Sequence, residues 1–365
     1  MNESALPLNC ILEGNCIEVL GRLPEKSVDL IFADPPYNLQ LYQELRRPDM
    51  SLVKGVNDEW DQFENFDQYD DFTRAWLIAC RRVLKDNGTL WVIGSYHNIF
   101  RIGKMMQDIG YWILNDVIWV KNNPMPNFRG VRFTNAHETL IWASKSKNAH
   151  YTFNHHAMKA FNKGKQMRSD WRLPTCVGAE RIKINGVKAH ATQKPEALLY
   201  RVILASSNPG YVVLDPFFGT GTTGAVAKKL HRNWIGIEVN AKYIDLARER
   251  IDNLEPESFD EGIFDVRDRR RSEPRIPFAR LVESGYLTPG QKLYFQGDRS
   301  QIARIKPDGK LVYAGFEGSI HQVGKHIVGS GSCNGWDCWD YENSSGELNH
   351  IDKLRQEYRK NKLNR

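Results

Sequence analysis

The sequence predicts a doubly wound α/β fold with a mainly parallel sheet, followed by a small α+β C-terminal domain. Short apolar runs alternate with helical patterns, as expected for strands that are covered on both faces. Two of these runs end in a carboxylate, in "SVDLIFADPPYNLQ" (27–40) and "GYVVLDPFFGTGTTG" (210–224). The chain has 365 residues, 41% of them hydrophobic, which is enough for one large domain and one small one.

The elements can be assigned in chain order. Strands are predicted at residues 27–34, 88–95, 112–121, 210–217 and 233–239. Helices are predicted at residues 69–88, 98–110, 194–207, 222–230 and 241–254, with Gly88 and Gly110 closing the first two. Hairpin strands over 292–315 and a basic helix over 350–362 follow. We therefore predict an α/β domain at 1–257 with a recognition insertion at about 121–192, a basic linker at 258–275 and a C-terminal domain at 276–365.

Composition limits the classes of function. The net charge of +6 slightly favours a polyanionic partner. The six cysteines are scattered, and no apolar run approaches the ~18 residues of a membrane span, so we expect a reduced, cytoplasmic protein without a membrane partner. A zinc site is not expected: His137-Glu138 lacks the second histidine of H-E-x-x-H, because position 141 is Ile.

A glycine-rich turn follows the second carboxylate. Gly219, Gly221 and Gly224 match G-x-G-x-x-G between a strand and a helix, and Glu238 ends the next strand. This pattern is typical of sites for adenosine-containing cofactors, in which the acid binds ribose hydroxyls. Asp215 would repel a pyrophosphate but suits the positive groups of S-adenosylmethionine. A nicotinamide dehydrogenase stays open as an alternative, although it leaves the first carboxylate unexplained.

The turn after the first strand has catalytic residue types. Asp34 ends the strand, Pro35 and Pro36 stiffen the chain and leave carbonyls without local donors, and Tyr37 adds an aromatic face. The Asp34 carboxylate and the Pro35 carbonyl would accept both hydrogens of an exocyclic amino group, which stabilises the positive charge that develops on methylation. A base in a duplex must be flipped to reach such a site, where it would stack on Tyr37.

The sequence resembles the β-class amino-methyltransferases of DNA, most closely the bacterial cell-cycle-regulated adenine methyltransferases that act on GANTC. The similar segments are "FADPPYNLQ", "AHATQKPEALL" and "LDPFFGTGTTG", in that family's circularly permuted order. The resemblance implies a Rossmann-like fold dependent on S-adenosylmethionine, double-stranded DNA as substrate, a role in DNA replication and the cell cycle, nucleoid association and a possible homodimer. A cytosine amino-methyltransferase on the same scaffold and a DNA-binding regulator with a vestigial site stay open.

The resemblance and the residues together give the candidate site. The catalytic candidates are Asp34, Pro35, Pro36 and Tyr37. The cofactor-binding candidates are Asn15, Cys16, Gln193, Lys194, Pro195, Asp215, Phe217, Gly219, Gly221, Thr222, Thr223 and Glu238. Asn15 stands where the family usually has Asp, so its contact to the cofactor adenine would lack charge assistance.

The DNA-binding candidates lie in three segments. The first segment directly follows the catalytic turn. The second is "KNNPMPNFRGVRF" (121–133), which is rich in amides, arginines and aromatic rings. The third lies in the C-terminal domain. They are Leu45, Arg47, Asn123, Asn127, Arg129, Arg132, Asn334 and Trp336.

Overall fold

The chain folds into two units, residues 1–268 and 269–365, and each has its own apolar core. The structure, a computed structural model, describes residues 6–38, 45–46, 52–53, 62–127, 130–184, 187–189, 192–267, 275–329 and 333–362. The boundary between the units lies in the segment 258–275 that the sequence predicts as a linker. Each unit is described by itself below.

The first unit is built on an eight-stranded sheet. Its strands, with the short ones outside that sheet, are β1 Cys10–Glu13, β2 Val28–Ala33, β3 Leu45–Arg46, β4 Leu52–Val53, β5 Leu84–Gly94, β6 Trp112–Lys121, β7 His137–Ser144, β8 Asp170–Leu173, β9 Lys183–Ile184, β10 Val187–Lys188, β11 Val212–Asp215 and β12 Asn233–Glu238. The sheet order is β1-β12-β11-β2-β5-β7-β6-β8. Only β7 runs antiparallel to its neighbours in this sheet.

Helices cover both faces of the sheet. They are α1 Cys16–Arg22, α2 Phe66–Val83, α3 Ile99–Ile109, α4 His155–Ala160, α5 Glu196–Ser206, α6 Thr222–Lys229, α7 Ala241–Asp252 and α8 Glu261–Phe264. Along β2, Leu30 and Phe32 belong to one apolar cluster, and Ile31 and Ala33 to another. Since successive side chains of a strand point to opposite faces, these are the two halves of a doubly wound core. The predicted fold class is confirmed.

The two predicted helix ends differ in outcome. Gly110 adopts φ 94° at the C-cap of α3, a left-handed conformation that glycine reaches without strain. Gly88 instead lies inside β5, because α2 ends at Val83 and the strand begins at Leu84. The prediction that Gly88 caps the helix is wrong. A Cβ at this position would lie 2.9 Å from the Asp29 carbonyl oxygen, so close packing on β2 explains the glycine.

The segment 121–192 contributes two strands to the sheet. β7 pairs with both β5 and β6, and β8 pairs with β6. The sequence did not predict these strands, because polar residues surround their short apolar cores. The segments between the strands therefore remain as the candidate recognition loops.

The parallel pairing of β2 with β11 decides where the turns after these two strands lie. We call the turn that begins at Asp34 the acidic turn and the turn that begins at Asp215 the cofactor turn. Leu30 faces Val213 and Ile31 faces Leu214 across the two strands. The carboxyl ends of parallel strands lie at one edge of the sheet, where doubly wound folds bind their ligands. Asp34 and Asp215 therefore come to the same edge.

We expect Gly236→Ala to destabilise the first unit. The added Cβ would lie 2.4 Å from the Phe218 ring, which is buried and stacks on Trp234 with the ring centroids 5.5 Å apart. Overpacking of this kind lowers the free energy of unfolding by about 1–3 kcal/mol. Urea unfolding of the two proteins measures this difference. Gly21→Ala in α1 is the control, since its Cβ meets nothing within 4 Å. An equal effect of both substitutions would contradict the packing argument.

The second unit is an antiparallel sheet with helices. Its strands are β13 Lys292–Phe295, β14 Asp298–Ile305, β15 Leu311–Tyr313, β16 Phe316–Gly318, β17 Trp339–Glu342 and β18 Leu348–His350, in the order β16-β15-β14-β13-β17-β18. Its helices are α9 Phe278–Glu283, α10 Ile320–Val328, α11 Gly335–Cys338 and α12 Ile351–Lys362. This agrees with the predicted hairpins and basic helix. Over the described parts of both units, no helix is long and apolar enough to cross a bilayer.

Candidate active site

A cavity of about 360 Å³ opens where β2 and β11 end. All four catalytic candidates line it, and so do all the cofactor candidates except Pro195 and Gly221, which stand immediately before α5 and α6. Its volume is in the range of small-molecule sites. The structure thus brings together residues that are up to 223 positions apart in the chain, from Asn15 to Glu238.

The turn after β2 is held rigidly. The Tyr37 hydroxyl lies 3.1 Å from Asp34 Oδ1. The Pro36 carbonyl accepts hydrogen bonds from the Tyr69 hydroxyl at 3.0 Å and from Asn98 Nδ2 at 3.3 Å. The sequence predicts that the proline carbonyls have no local donors, and the two donors to Pro36 come from distant positions in α2 and at the start of α3. These bonds fix the backbone that carries Asp34.

Charged residues from other elements surround Asp34. Lys194, just before α5, places its ammonium 2.7 Å from Asp34 Oδ2. Glu138 on β7 lies 3.1 Å from the Tyr37 hydroxyl through Oε2 and 2.7 Å from the Lys121 ammonium through Oε1. Sequence reasoning treated Glu138 only as part of an incomplete zinc pattern and gave Lys121 no role. Their only signal is a charged residue at each of two adjoining strand ends, which is too weak to recognise without the fold.

The pKa values of these groups are shifted by burial and by one another. Burial raises the pKa of the Asp34 carboxyl above its ordinary value, although Lys194 opposes this. Burial also acts to raise the pKa of Glu138, but the positive charges of Lys194 and Lys121 outweigh it and the pKa is lowered. Burial and the two carboxylates raise the pKa of Tyr37 well above its ordinary value, so the phenol keeps its proton.

The glycine turn is organised by two acids. Asp215 accepts the Phe217 N–H at 2.9 Å and the Thr223 hydroxyl at 2.5 Å. Glu238 Oε2 accepts the Gly219 N–H at 2.7 Å. Gly221 takes φ 74°, and a Cβ there would lie 2.8 Å from the Ala247 side chain, so both conformation and space require glycine.

Three further cofactor candidates also serve the local structure. Asn15 caps α1 by accepting the Ile17 N–H at 2.9 Å. Gln193 donates to the Glu180 carbonyl at 2.9 Å and accepts the Ile182 N–H at 3.1 Å, which ties it to the preceding loop. The Lys194 ammonium pairs with Asp34, and both residues line the cavity. Their assignment to the cofactor stays a prediction.

Titration of Asp215 should couple cofactor binding to pH. Burial raises the pKa of this carboxyl to about 7, so it is ionised only above that pH. We expect the affinity for S-adenosylmethionine to rise with pH up to about 7 and then level, because the ionised acid attracts the permanent sulfonium charge. Titration calorimetry across this pH range tests the expectation.

Asp215→Asn is the matched variant for that experiment. The amide can keep a hydrogen bond to the Phe217 N–H while removing the titrating group. It should bind more weakly at high pH and lose the rise. The same pH dependence in both proteins would show that another group is responsible.

The DNA-binding candidates are dispersed. Asn123 Oδ1 accepts the N–H and the hydroxyl of Thr175, Asn127 Oδ1 accepts the Val131 N–H, and Arg132 donates to the Tyr96 hydroxyl. Of Leu45 only the backbone is described, in β3, and Arg47 and Arg129 lie outside the described residues.

The C-terminal candidates lie in the second unit. Asn334 caps α11, and the Trp336 side chain is buried between Phe278 and the Arg355 guanidinium, which is 4.3 Å from the ring centroid. Trp336 lies in α11. The Trp336 side chain belongs to the apolar core of the second unit. Its contact with DNA stays a prediction.

The fold and the site define an S-adenosylmethionine-dependent methyltransferase. Residues 28–249 match the family of DNA methylases that modify amino groups at N6 or N4, and residues 263–364 match the "Restriction Enzyme Adenine Methylase Associated" family. The chain therefore belongs to the DNA amino-methyltransferases, whose substrate is DNA. Among the described residues, no group of three or more His, Cys, Asp or Glu side chains could hold a metal ion.

Known proteins agree with this assignment. The chain is 49% identical to the type II methyltransferase M.HinfI of Haemophilus influenzae over 352 residues, which are 96% of this chain and 97% of that protein. It is 41% identical to the type II methyltransferase M2.MboI of Moraxella bovis, over 67% and 88% of the two chains. The structure of M1.HpyAVI with S-adenosylmethionine matches with 29% identity and a TM-score of 0.50, over 67% of this chain and 99% of that one. The cytosine-N4-specific PvuII methyltransferase shares the fold, with 22% identity, a TM-score of 0.52 and coverage of 72% and 92%.

Proposed function

We propose that this enzyme methylates the exocyclic N6 of an adenine that is flipped out of double-stranded DNA, within GANTC. The single observation that carries the proposal is the placement of Asp34 and Tyr37 on one rigid turn, in the same cavity as the glycine loop. An acceptor pair beside an aromatic face suits a planar base with an amino group. The sequence GANTC itself rests on the family resemblance.

Each residue of the turn has a distinct role in this proposal. Asp34 and the Pro35 carbonyl accept the two amino hydrogens, which localises the nitrogen lone pair and stabilises positive charge on the nitrogen. Pro36 fixes the turn, and Tyr37 stacks on the extruded ring. S-Adenosylmethionine, when bound, supplies the methyl group. Asp215 and Glu238 hold the glycine turn in shape for it, and Asp215 adds negative charge to the cavity.

Recognition of DNA is assigned to the loops and the C-terminal unit. In the loop after β6, the Phe133 side chain is 98% exposed and Val131 is 77% exposed, near Arg132. Exposed aromatic and basic side chains suit stacking on bases and contact with phosphates. We assign residues 1–257 to catalysis and 276–365 to DNA binding. A homodimer, nucleoid association and a role in replication and the cell cycle stay predictions from the resemblance.

Adenine is favoured over cytosine by one residue and one family match. Cytosine amino-methyltransferases of this scaffold more often have Ser where Asp34 stands, and the family that matches residues 263–364 is described by its association with adenine methylases. A regulator with a vestigial site is disfavoured, because the acidic and aromatic groups of the turn are intact and held by hydrogen bonds.

Long-read mapping of modified bases on a plasmid expressed with this chain tests the proposal. N6-methyladenine in GANTC is the expected result. N4-methylcytosine would support the alternative, a cytosine amino-methyltransferase on the same scaffold. N6-methyladenine in another sequence would refute only the assignment of GANTC as the recognition sequence. An unmodified plasmid, with purified enzyme also inactive on it, would support the regulator.

A further inference from the structure

The end of the cofactor turn is tied to a residue of α7. Arg250, in the last turn of α7, donates through Nη1 to the Thr222 hydroxyl at 3.0 Å and to the Thr220 carbonyl at 3.3 Å. Its other terminal nitrogen, Nη2, lies 2.7 Å from Glu196 Oε1 in the first turn of α5. Because a guanidinium is a planar fork with several donors, this one side chain joins α5, α6 and α7.

The groups that Arg250 joins belong to two segments that line the cavity. Thr220 and Thr222 line it from the cofactor turn, and Lys194 lines it from the residues before α5. The Thr222 hydroxyl also lies 3.4 Å from the Lys194 carbonyl, which links the two segments directly. Arg250 is not one of the lining residues, and its side chain is 12% exposed. It can therefore affect a bound cofactor only through the groups that it holds.

The backbone of the cofactor turn packs closely on α7. A Cβ at Gly221 would lie 2.8 Å from the Ala247 Cβ and 3.2 Å from the Ile251 Cδ1. A glycine loses more conformational entropy than other residues when its backbone is fixed, so a turn of this kind is ordered only by contacts around it. Arg250 supplies such contacts on both sides of Gly221, at Thr220 and at Thr222.

We propose that Arg250 is a positioning residue for S-adenosylmethionine, which holds the cofactor turn and the segment before α5 in the arrangement that binds the cofactor. This inference rests on the assignment of the cofactor turn to S-adenosylmethionine, and it holds whichever amino group is methylated. Without Arg250 the turn would adopt other conformations, and the apparent affinity would fall with the fraction that remains competent to bind. Saturating cofactor would restore the competent form, so the rate of methyl transfer at saturation would change little.

Glu196 has a second cationic partner, which provides a matched control. Its Oε2 lies 2.5 Å from the ammonium of Lys229, whose side chain is 40% exposed at the end of α6. Lys229→Met removes one positive charge from Glu196, as Arg250→Met does. It leaves the bonds from Arg250 to Thr220 and Thr222 in place. The comparison of the two variants therefore isolates the contacts with the cofactor turn.

The test is a calorimetric titration of the full-length enzyme with S-adenosylmethionine. In Arg250→Met we expect the Kd to rise about tenfold with the same number of binding sites, because the lost contacts couple two parts of one site. Lys229→Met should stay within about twofold of the wild type, since it is an exposed pair. Arg250→Lys keeps the charge beside Glu196 but has a single nitrogen, so its Kd should lie between those of the wild type and the methionine variant. Quenched single turnovers at saturating cofactor should differ little among all four proteins.

A double variant tests whether Arg250 acts through the cofactor turn. Thr222→Val removes the hydroxyl that accepts from Arg250, and it should weaken cofactor binding by itself. Added to Thr222→Val, the Arg250→Met substitution should then raise the Kd by less than it does in the wild type, because one of the contacts is already lost. Fully additive effects would contradict a joint action of the two residues.

The outcomes separate the positioning role from a general loss of structure. Fewer binding sites at an unchanged Kd, equal weakening by Lys229→Met, or a loss of rate at saturation larger than the loss of affinity would overturn the proposal. If Thr222→Val weakens binding and Arg250→Met does not, only the role of Arg250 fails. If neither substitution changes the Kd, the assignment of the cofactor turn to S-adenosylmethionine fails as well.

Discussion

Asp34→Ala is expected to slow methyl transfer about 10²–10³-fold while leaving the affinity for S-adenosylmethionine largely unchanged. The carboxylate is the acceptor that stabilises positive charge on the amine, and loss of one such preorganised group costs about 10²–10³ in rate. Its removal also leaves the buried Lys194 ammonium with Glu138 as its nearest acid, at 3.8 Å. Quenched single turnovers measure the rate, and calorimetry measures the affinity.

Two further variants serve as comparisons for that experiment. Asp34→Asn keeps an oxygen acceptor without the charge, so its rate should fall between those of the wild type and the alanine variant. Asp86→Ala removes an exposed aspartate that pairs with Lys26 at 2.9 Å, and should change neither measurement. Unchanged turnover in Asp34→Ala would refute the role assigned to the acidic turn.

Removal of residues 276–365 is expected to weaken DNA binding at least about tenfold and cofactor binding less than twofold, because phosphate contacts from this unit would supply much of the affinity. The first unit has its own core, and the M1.HpyAVI chain is covered almost entirely by 67% of this chain, so the truncated protein should fold. Titrations of labelled duplex and of S-adenosylmethionine measure the two affinities.

The salt dependence provides a second measurement of the same assignment. If the C-terminal unit contacts phosphates, the truncated enzyme should lose affinity less steeply as salt rises than the full chain does. A thermal unfolding curve of the truncated protein checks that the first unit remains folded. Equal losses of DNA and cofactor binding would contradict a recognition role for residues 276–365.

Much of the catalytic unit is predictable from local patterns. The β2 and β11 strands, the α5, α6 and α7 helices and the glycine turn follow from apolar periodicity and from capping residues, which act over a few positions. Asp34 and Asp215 could be assigned to one edge because parallel strands bring their carboxyl ends together. The end of α2 and the position of Gly88 could not be predicted from the sequence, because packing on β2 overrides the preference of glycine for helix ends.

The sequence by itself determined the acidic turn, the cofactor turn and the resemblance that joins them, because each is a short segment whose residues act together. Only the tertiary structure decided which groups surround Asp34. Lys194, Glu138 and Lys121 come from the start of a helix and from two strands that are distant in the chain, and their hydrogen bonds form only when the sheet order β5-β7-β6 and the packing of α5 bring them within 4 Å. Ion pairs between such distant residues leave no periodic pattern in the sequence, because their chemistry depends on distance in space.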